Sequence, residues 1–458
     1  MTERPPRFGA TTLARLRPAR AQGHRHLLTG SAVLVVGAAI QALSGAVFWL
    51  IAARLDAESI VGAGGKLFTS VLFVTYLAGL GLPVALARYA ADRDPESDTT
   101  FTWAVLATIG TSLLFGTTYV ALFHGSATGL LTEVNPVLGP LFFAVMVAGA
   151  ALSLIVDVRC MTARRWNLVL ARITIVGIAR FPLLLLFQDV SPDHRAFWLF
   201  AAATGPVALS GLIGAWFVPH ASGGRHRLGP MPDRTRAMVR YSAVNYVSTL
   251  AYQAPYFLLP VIVLANVADE LYASFNVAWG IVAVAFYVPT AIGQALLAEG
   301  GRDGAHVHHQ LRLAMYLALG LMTAGTLVAF VGSDLITSIY GAAYSEAADI
   351  LPAMVAAGIP WAVTSLYLSE VRILHRHVAT VAITGALTIG IVAPALVLVP
   401  EHELDGAKTA WLLGNIAAAI VAIVAVRLTR ARNAEDPALT EPETAEDAAE
   451  VGITLEHM

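Results

Sequence analysis

The chain has 458 residues, of which 57% are hydrophobic and 13% charged, with a mean hydropathy of +0.68. Soluble globular proteins carry about 25% charged residues, so half the usual solvating charge is missing and a water-soluble enzyme or nucleic-acid-binding protein is excluded. The formal net charge of −2 hides a basic N-terminal arm and an acidic C-terminal tail, and the single cysteine, Cys160, excludes an internal disulfide.

Residues 1–26 form a cytoplasmic arm with six Arg. The apolar stretch behind it is too long for a signal-peptide core and lacks a small-x-small cleavage site, so it is expected to stay as the first span, near 27–53. The arm either rests on anionic headgroups or only fixes topology. From there apolar runs of about 20 residues recur, the length that crosses a hydrocarbon core of roughly 30 Å. They are too long and unpatterned for barrel strands, and rich in Gly, Ala, Ser and Thr, as close helix packing in lipid favours.

Further spans are predicted near 67–88, 102–123, 137–158, 169–187 and 196–218. After a basic cytoplasmic linker, 219–240, they resume near 241–264, 273–297, 311–331, 350–370, 378–399 and 408–428. Turn formers such as Asn135-Pro136, Ser191-Pro192 and Gly332-Ser333-Asp334 fill the gaps. The tail, 429–458, is acidic, carries Pro437 and Pro442, and is expected to be disordered in the cytoplasm. The expectation is an all-α membrane protein of about twelve transmembrane helices, with one six-helix bundle over 27–218 and another over 241–428.

With the N-terminus inside, 24 Lys and Arg fall on the inner side and four, Arg54, Lys66, Arg195 and Lys408, outside; Arg180 lies within a span. This bias predicts that both termini are cytoplasmic. The halves show a faint repeat at an offset near 210 residues: "SAV" opens at Ser31 and Ser242, Asp56-Ala57-Glu58 matches Asp269-Glu270, and the paired spans end in Arg88 and Glu299. With six spans in each half, such repeats run parallel, giving two pseudo-symmetric bundles (6+6) around a central cavity.

The seventh span carries Ser242, Asn245, Thr249, Tyr252 and Tyr256 at steps of 3, 4, 3 and 4, which is one helix face. Tyr246 and Gln253 widen the stripe, and Pro255 interrupts the backbone hydrogen bonding. The stripe either walls a hydrated cavity, where Tyr and Asn bind sugars, or makes interhelical hydrogen bonds worth about 0.6 kcal/mol each. Five aligned polar positions exceed what one helix contact needs, which favours the cavity. Gln41 and Ser44, with Gly37, form a thinner version on the first span.

Arg180 lies about eight residues, or roughly 12 Å, from the outer end of its span, beyond comfortable snorkelling. It either grips a phosphate bidentately or pairs with a carboxylate or a carbonyl, such as the one Pro182 frees. Arg54, Arg88, Asp157, Glu299, Glu370 and Arg372 sit at span ends and read as interfacial anchors and caps. All thirteen His lie outside the spans, and His306, His308 and His309 have no partners at a metal spacing, so no metal is expected. Thr380, Thr384 and Thr388 read as a packed small-residue face. No Walker loop, dinucleotide fingerprint or nucleophile elbow occurs, and no Asp or Glu sits near the middle of a span, so neither a cofactor, an enzyme activity nor a coupling-ion site is expected.

The second span's GLGLPVALARY (79–89), preceded by ARLDAESIVGAGG (53–65), resembles the N-terminal signature of bacterial polysaccharide and lipopolysaccharide biosynthesis transporters. These are lipid-linked oligosaccharide flippases of the multidrug/oligosaccharidyl-lipid/polysaccharide (MOP) superfamily. The tenth span, LPAMVAAGIPWAVTSLYLSEVRILHR (351–376), is similar to the matching region, and the resemblance covers 27–428. It implies a MOP flippase-like pair of bundles whose cavity is lined by the first, second, seventh and eighth spans. The implied activity passes an undecaprenyl-diphosphate-linked sugar chain from the inner to the outer leaflet of the bacterial cytoplasmic membrane. The implied state is a monomer among membrane lipids, with a polysaccharide polymerase or glycosyltransferases as partners. The family's cavity cations map poorly here: Arg54 and Arg88 lie near span ends, and Arg180 is on the fifth span. The substrate-binding set is therefore Arg180, Gln41, Ser44, Asn245, Thr249, Tyr252, Gln253 and Tyr256.

The alternative is a MATE-like multidrug or small-metabolite antiporter of the same superfamily, which is expected to need a cavity carboxylate. A major-facilitator transporter is disfavoured because ARYAADRDPESD (87–98) does not match its loop motif. A membrane glycosyltransferase would need a larger outside loop than 332–349.

Overall fold

The computed structural model describes residues 33, 36–89, 94–123, 128–221, 224–300, 307–374 and 376–435. The basic arm, the tail beyond 435, and the side chains of Arg88, Asn245, Thr249, Glu299 and the 306–309 histidines lie outside the described residues.

Among the described residues there is no strand. The helices run, in chain order, α1 (Val36–Leu55), α2 (Glu58–Ala78), α3 (Leu82–Tyr89), α4 (Pro95–Leu122), α5 (Gly129–Val134), α6 (Leu138–Thr162), α7 (Trp166–Leu186) and α8 (Pro192–Ala221). They continue with α9 (Asp233–Asn266), α10 (Asp269–Gly300), α11 (Val307–Val331), α12 (Ser333–Tyr340), α13 (Ser345–Ala356), α14 (Gly358–Ile373) and α15 (His377–Glu435). Ten described stretches are long and apolar enough to cross a membrane. Outward-facing Leu186, Phe330, Val331 and Val378 are all at least 70% exposed, which suits a lipid solvent and not water. The protein is an all-α, multi-pass membrane protein.

One predicted span is remade by local backbone geometry. The stretch predicted at 67–88 is two helices, because Leu80 and Gly81 take positive φ values of 46° and 69° between α2 and α3. Gly81 adopts this conformation freely, and Pro83 then suits the first turn of α3. The stretch at 350–370 runs through α13 and α14, which meet at Ala357 with helical backbone and form one apolar stretch over 342–373. The two predicted at 378–399 and 408–428 are the two legs of α15, either side of a break at Glu403 (φ 49°, ψ −121°). A Cβ built on Gly414 would come within 2.6 Å of the Ile391 nitrogen, so the legs either side of that break lie against each other. The helix continues to Glu435, into the segment predicted to be disordered from 429.

The chain divides into two compact units, residues 1–280 with 334–349, and residues 281–333 with 350–458. In the first unit, α6 and α8 approach backbone to backbone: a Cβ on Gly211 would lie 1.9 Å from the Gly149 carbonyl oxygen. Small residues permit this contact, as helix association in lipid requires. Around it pack Leu86, Phe101, Leu152 and Ile155 on one side and Leu67, Val71, Phe143 and Phe200 on the other. In the second unit Phe286 stacks on Trp361 at 6.0 Å and meets Trp411 at 5.0 Å, tying α10, α14 and α15 together.

Several charges expected in loops or at interfaces are engaged in contacts between helices. Lys66, counted as a loop residue, lies in α2, only 6% exposed, with Nζ donating to the Val267 carbonyl at 2.6 Å and pairing with Asp269 at 2.9 Å. Arg195, in α8, donates from Nε to Asp56 at 2.6 Å. Arg54 donates to the Ile339 and Ser338 carbonyls, each at 2.6 Å, at the C-terminal end of α12, where the helix dipole favours a cation. Glu370, expected as an interfacial anchor, is fully buried and pairs with Arg430 at 2.8 Å.

Candidate functional site

A half-open cleft of about 70 Å³ in the first unit lies between α1, α6, α7 and α8. Its wall on α1 is Gln41 and Ser44, on α6 Ser153, Leu154 and Asp157, and on α8 Val207. The α7 wall runs from Arg172 to Arg180. The approach of α1 to α7 depends on Gly177: a Cβ there would come within 3.0 Å of the Ser44 hydroxyl. Gly45 likewise leaves room beside the guanidinium, its imagined Cβ 3.9 Å from Arg180 Nη1.

Three ionisable side chains line the cleft, and two of them satisfy each other. Arg172 Nε donates to Asp157 Oδ1 at 2.7 Å, Nη2 donates to Oδ2, and Nη1 donates to the Ser210 hydroxyl at 3.2 Å. Asp157, expected as an interfacial anchor, is thus half of an ion pair between helices, and Arg172 of α7 is its partner. The third group is Arg180, 7% exposed, whose Nε is buried with no hydrogen-bond partner. Among the described residues no carboxylate or carbonyl takes its charge. Burying an unpaired guanidinium is expensive, so such a group points to an interior path or a ligand.

The polar stripe of α9 lies elsewhere. Ser242 Oγ donates to the Leu80 carbonyl and Tyr246 Oη to that of Leu77 at 2.8 Å, while Thr111 Oγ1 from α4 donates to that of Ala78 at 2.8 Å. All three acceptors sit at the break between α2 and α3, where carbonyls lose helical partners. For Ser242 and Tyr246 the interhelical role therefore applies. Tyr252, Gln253 and Tyr256 are half-buried, with the Tyr256 ring 6.5 Å from Trp279. None of these three lines the cleft. Of the sequence-predicted set, the fold brings Gln41, Ser44 and Arg180 together. Asp157 and Arg172 were missed as site residues because nothing local shows that two charges on different helices meet. Among the described residues no group of His, Cys, Asp and Glu is placed to hold a metal ion.

No protein-family model and no curated protein matches this sequence. Among solved structures, the chain is similar to the lipid II flippase MurJ in an inward closed conformation. The TM-score is 0.70 at 12% identity, over 86% of this chain and 87% of that one. It is also similar to an inward-facing multidrug resistance MATE family transporter of the MOP superfamily, with a TM-score of 0.62 at 16% identity over 86% of this chain and 96% of that one. The eukaryotic MATE transporter AtDTX14 matches with a TM-score of 0.55 at 13% identity, over 88% of this chain and 96% of that one. At these identities the likeness shows a shared all-helical fold and leaves the cargo open.

Proposed function

We propose that this protein is a transporter that flips a lipid-linked oligosaccharide from the inner to the outer leaflet of the bacterial cytoplasmic membrane. The observation that carries this is Arg180, an intramembrane guanidinium without a counter-charge, facing a half-open cleft beside Gln41 and Ser44. A diphosphate offers the bidentate acceptors that a guanidinium fork prefers. The uncharged polar groups on α1 suit the sugar end, and the polyprenyl chain stays in lipid. Asn245, Thr249, Tyr252, Gln253 and Tyr256 on α9 are proposed as a second contact surface for the glycan. Both termini are placed in the cytoplasm, and a polysaccharide polymerase or glycosyltransferases are the expected partners of a monomeric carrier. The fold shared with the flippase MurJ supports this proposal.

The second reading, a multidrug or small-metabolite antiporter, is favoured by the equally complete fold match to MATE transporters. Against it, the carboxylate in the cleft is already engaged by Arg172. Deleting the gene and following lipid-linked sugars by mass spectrometry, with an impermeant probe to assign the leaflet, separates the two. Accumulation of one intact oligosaccharide-lipid on the inner leaflet, reversed by the gene, is the expected result. An unchanged lipid pool, together with ion-dependent uptake of a cationic dye into vesicles, would replace the flippase with the antiporter.

A further inference from the structure

We infer that Arg172 sets the sign of the charge this cleft presents: by holding Asp157, it leaves Arg180 free and makes the cleft a site for a phosphate-bearing anion. The inference rests on the reading of Arg180 as the headgroup contact. The ionisable lining is Asp157, Arg172 and Arg180, two cations and one anion. Arg172 spends all three guanidinium nitrogens on Asp157 and Ser210, and both carboxylate oxygens are taken. That pair is a closed, neutral unit. The remaining charge in the cleft is the cation of Arg180.

The arrangement is conditional. Arg172 and Arg180 are eight residues apart on one helix, about 12 Å of rise. Helical side chains lean toward the N-terminal end, which tilts Arg180 toward the level of Asp157. Without Arg172, Asp157 either captures Arg180 or stands as an uncompensated anion in the same cleft. Both outcomes oppose a phosphate. A unit charge roughly 10 Å away at an effective dielectric near 20 weakens anion binding about tenfold. Arg172 is therefore a positioning residue, acting on the ligand through Asp157, and the cleft's preference for anion over cation depends on this one ion pair.

The test uses the full chain in lipid nanodiscs with two probes, inorganic pyrophosphate and a polyprenyl diphosphate, and compares Arg172→Gln, Asp157→Asn, the double variant and Arg180→Gln, with thermal melts to confirm folding. Arg180→Gln should abolish binding. Arg172→Gln should weaken it about tenfold or more, while the double variant, which removes both charges, should return to within about twofold of the parent. Asp157→Asn alone should bind at least as tightly as the parent, which keeps the inference testable if Arg172→Gln does not fold. A folded Arg172→Gln protein with parental affinity, a double variant that stays as weak as the single one, or weakened binding in Asp157→Asn would overturn it. If the parent binds neither probe, the headgroup reading itself fails. Binding of the polyprenyl probe alone identifies a lipid headgroup, whereas equal binding of both identifies a free diphosphate; either supports the anion site.

Discussion

At the scale of single residues, Arg180 is a buried cation whose Nε has no hydrogen-bond partner. Arg180→Ala should therefore leave protein level and melting temperature unchanged or slightly raised, because it removes a buried charge with no described partner, while surface glycan falls. Normal glycan at normal protein level would remove Arg180 from the mechanism. A second residue has a purely structural task. Asp94 caps α4 by accepting from the Ser97 N–H at 2.6 Å, and it pairs with Arg234 at 3.0 Å. These contacts, the Ser97 hydrogen bond foremost, pull its carboxyl below its ordinary 3.8. The folded form thus holds the ionised state more firmly than the unfolded chain does. The stabilisation is present above the ordinary carboxylate range and is lost as pH falls through the lowered folded value. Asp94→Ala should cost about 1 kcal/mol at neutral pH, and the gap from the parent should close in acid, as read by thermal melts across pH.

At the scale of elements, the break between α2 and α3 exposes carbonyls that another helix has to satisfy. Tyr246→Phe removes one donor with little change in shape, and Ser242→Ala removes another. Each should destabilise the protein by about 1 kcal/mol, because a part-buried carbonyl at the break loses a donor, with the loss visible in melts of detergent-solubilised protein. Unchanged melting in both would mean that water reaches the break. The α6–α8 contact makes a steeper demand. With a methyl at Gly211 pressed onto the Gly149 carbonyl, Gly211→Ala should cost on the order of 1–3 kcal/mol or prevent assembly. An equally stable variant would show that the helices can separate without loss.

At the scale of the whole molecule, the distribution of Arg and Lys predicts which side each connection faces. Cysteines placed at Arg227 and Glu401 in a Cys160→Ala background should be labelled from opposite sides, the first from the cytoplasm and the second from outside. Labelling of both from one side would reverse or break the twelve-span topology. Lys66, Arg195 and Arg54, counted among the outside cations, are bound into the first unit through Asp269, Asp56 and the end of α12. Their charge serves packing.

The amino-acid sequence by itself determined that this chain is an all-helical membrane protein and roughly where most of its apolar helices run. Span length and apolar content are local quantities, set by the thickness of a bilayer and by the need to satisfy every backbone group within the segment. It also marked Arg180, because a charge in the middle of an apolar run is visible without knowing its neighbours, and it placed Gln41 and Ser44 on one face by helical spacing alone. Only the tertiary structure decided which polar residues meet. The stripe on α9 read as one surface, yet Ser242 and Tyr246 clasp a break in α2–α3 that lies far away in the chain. Asp157 and Glu370 read as interfacial groups, yet each is half of an ion pair with a partner on another helix. Helical periodicity fixes which residues share a face but not what that face touches, and the electrostatics of a cleft depend on those contacts.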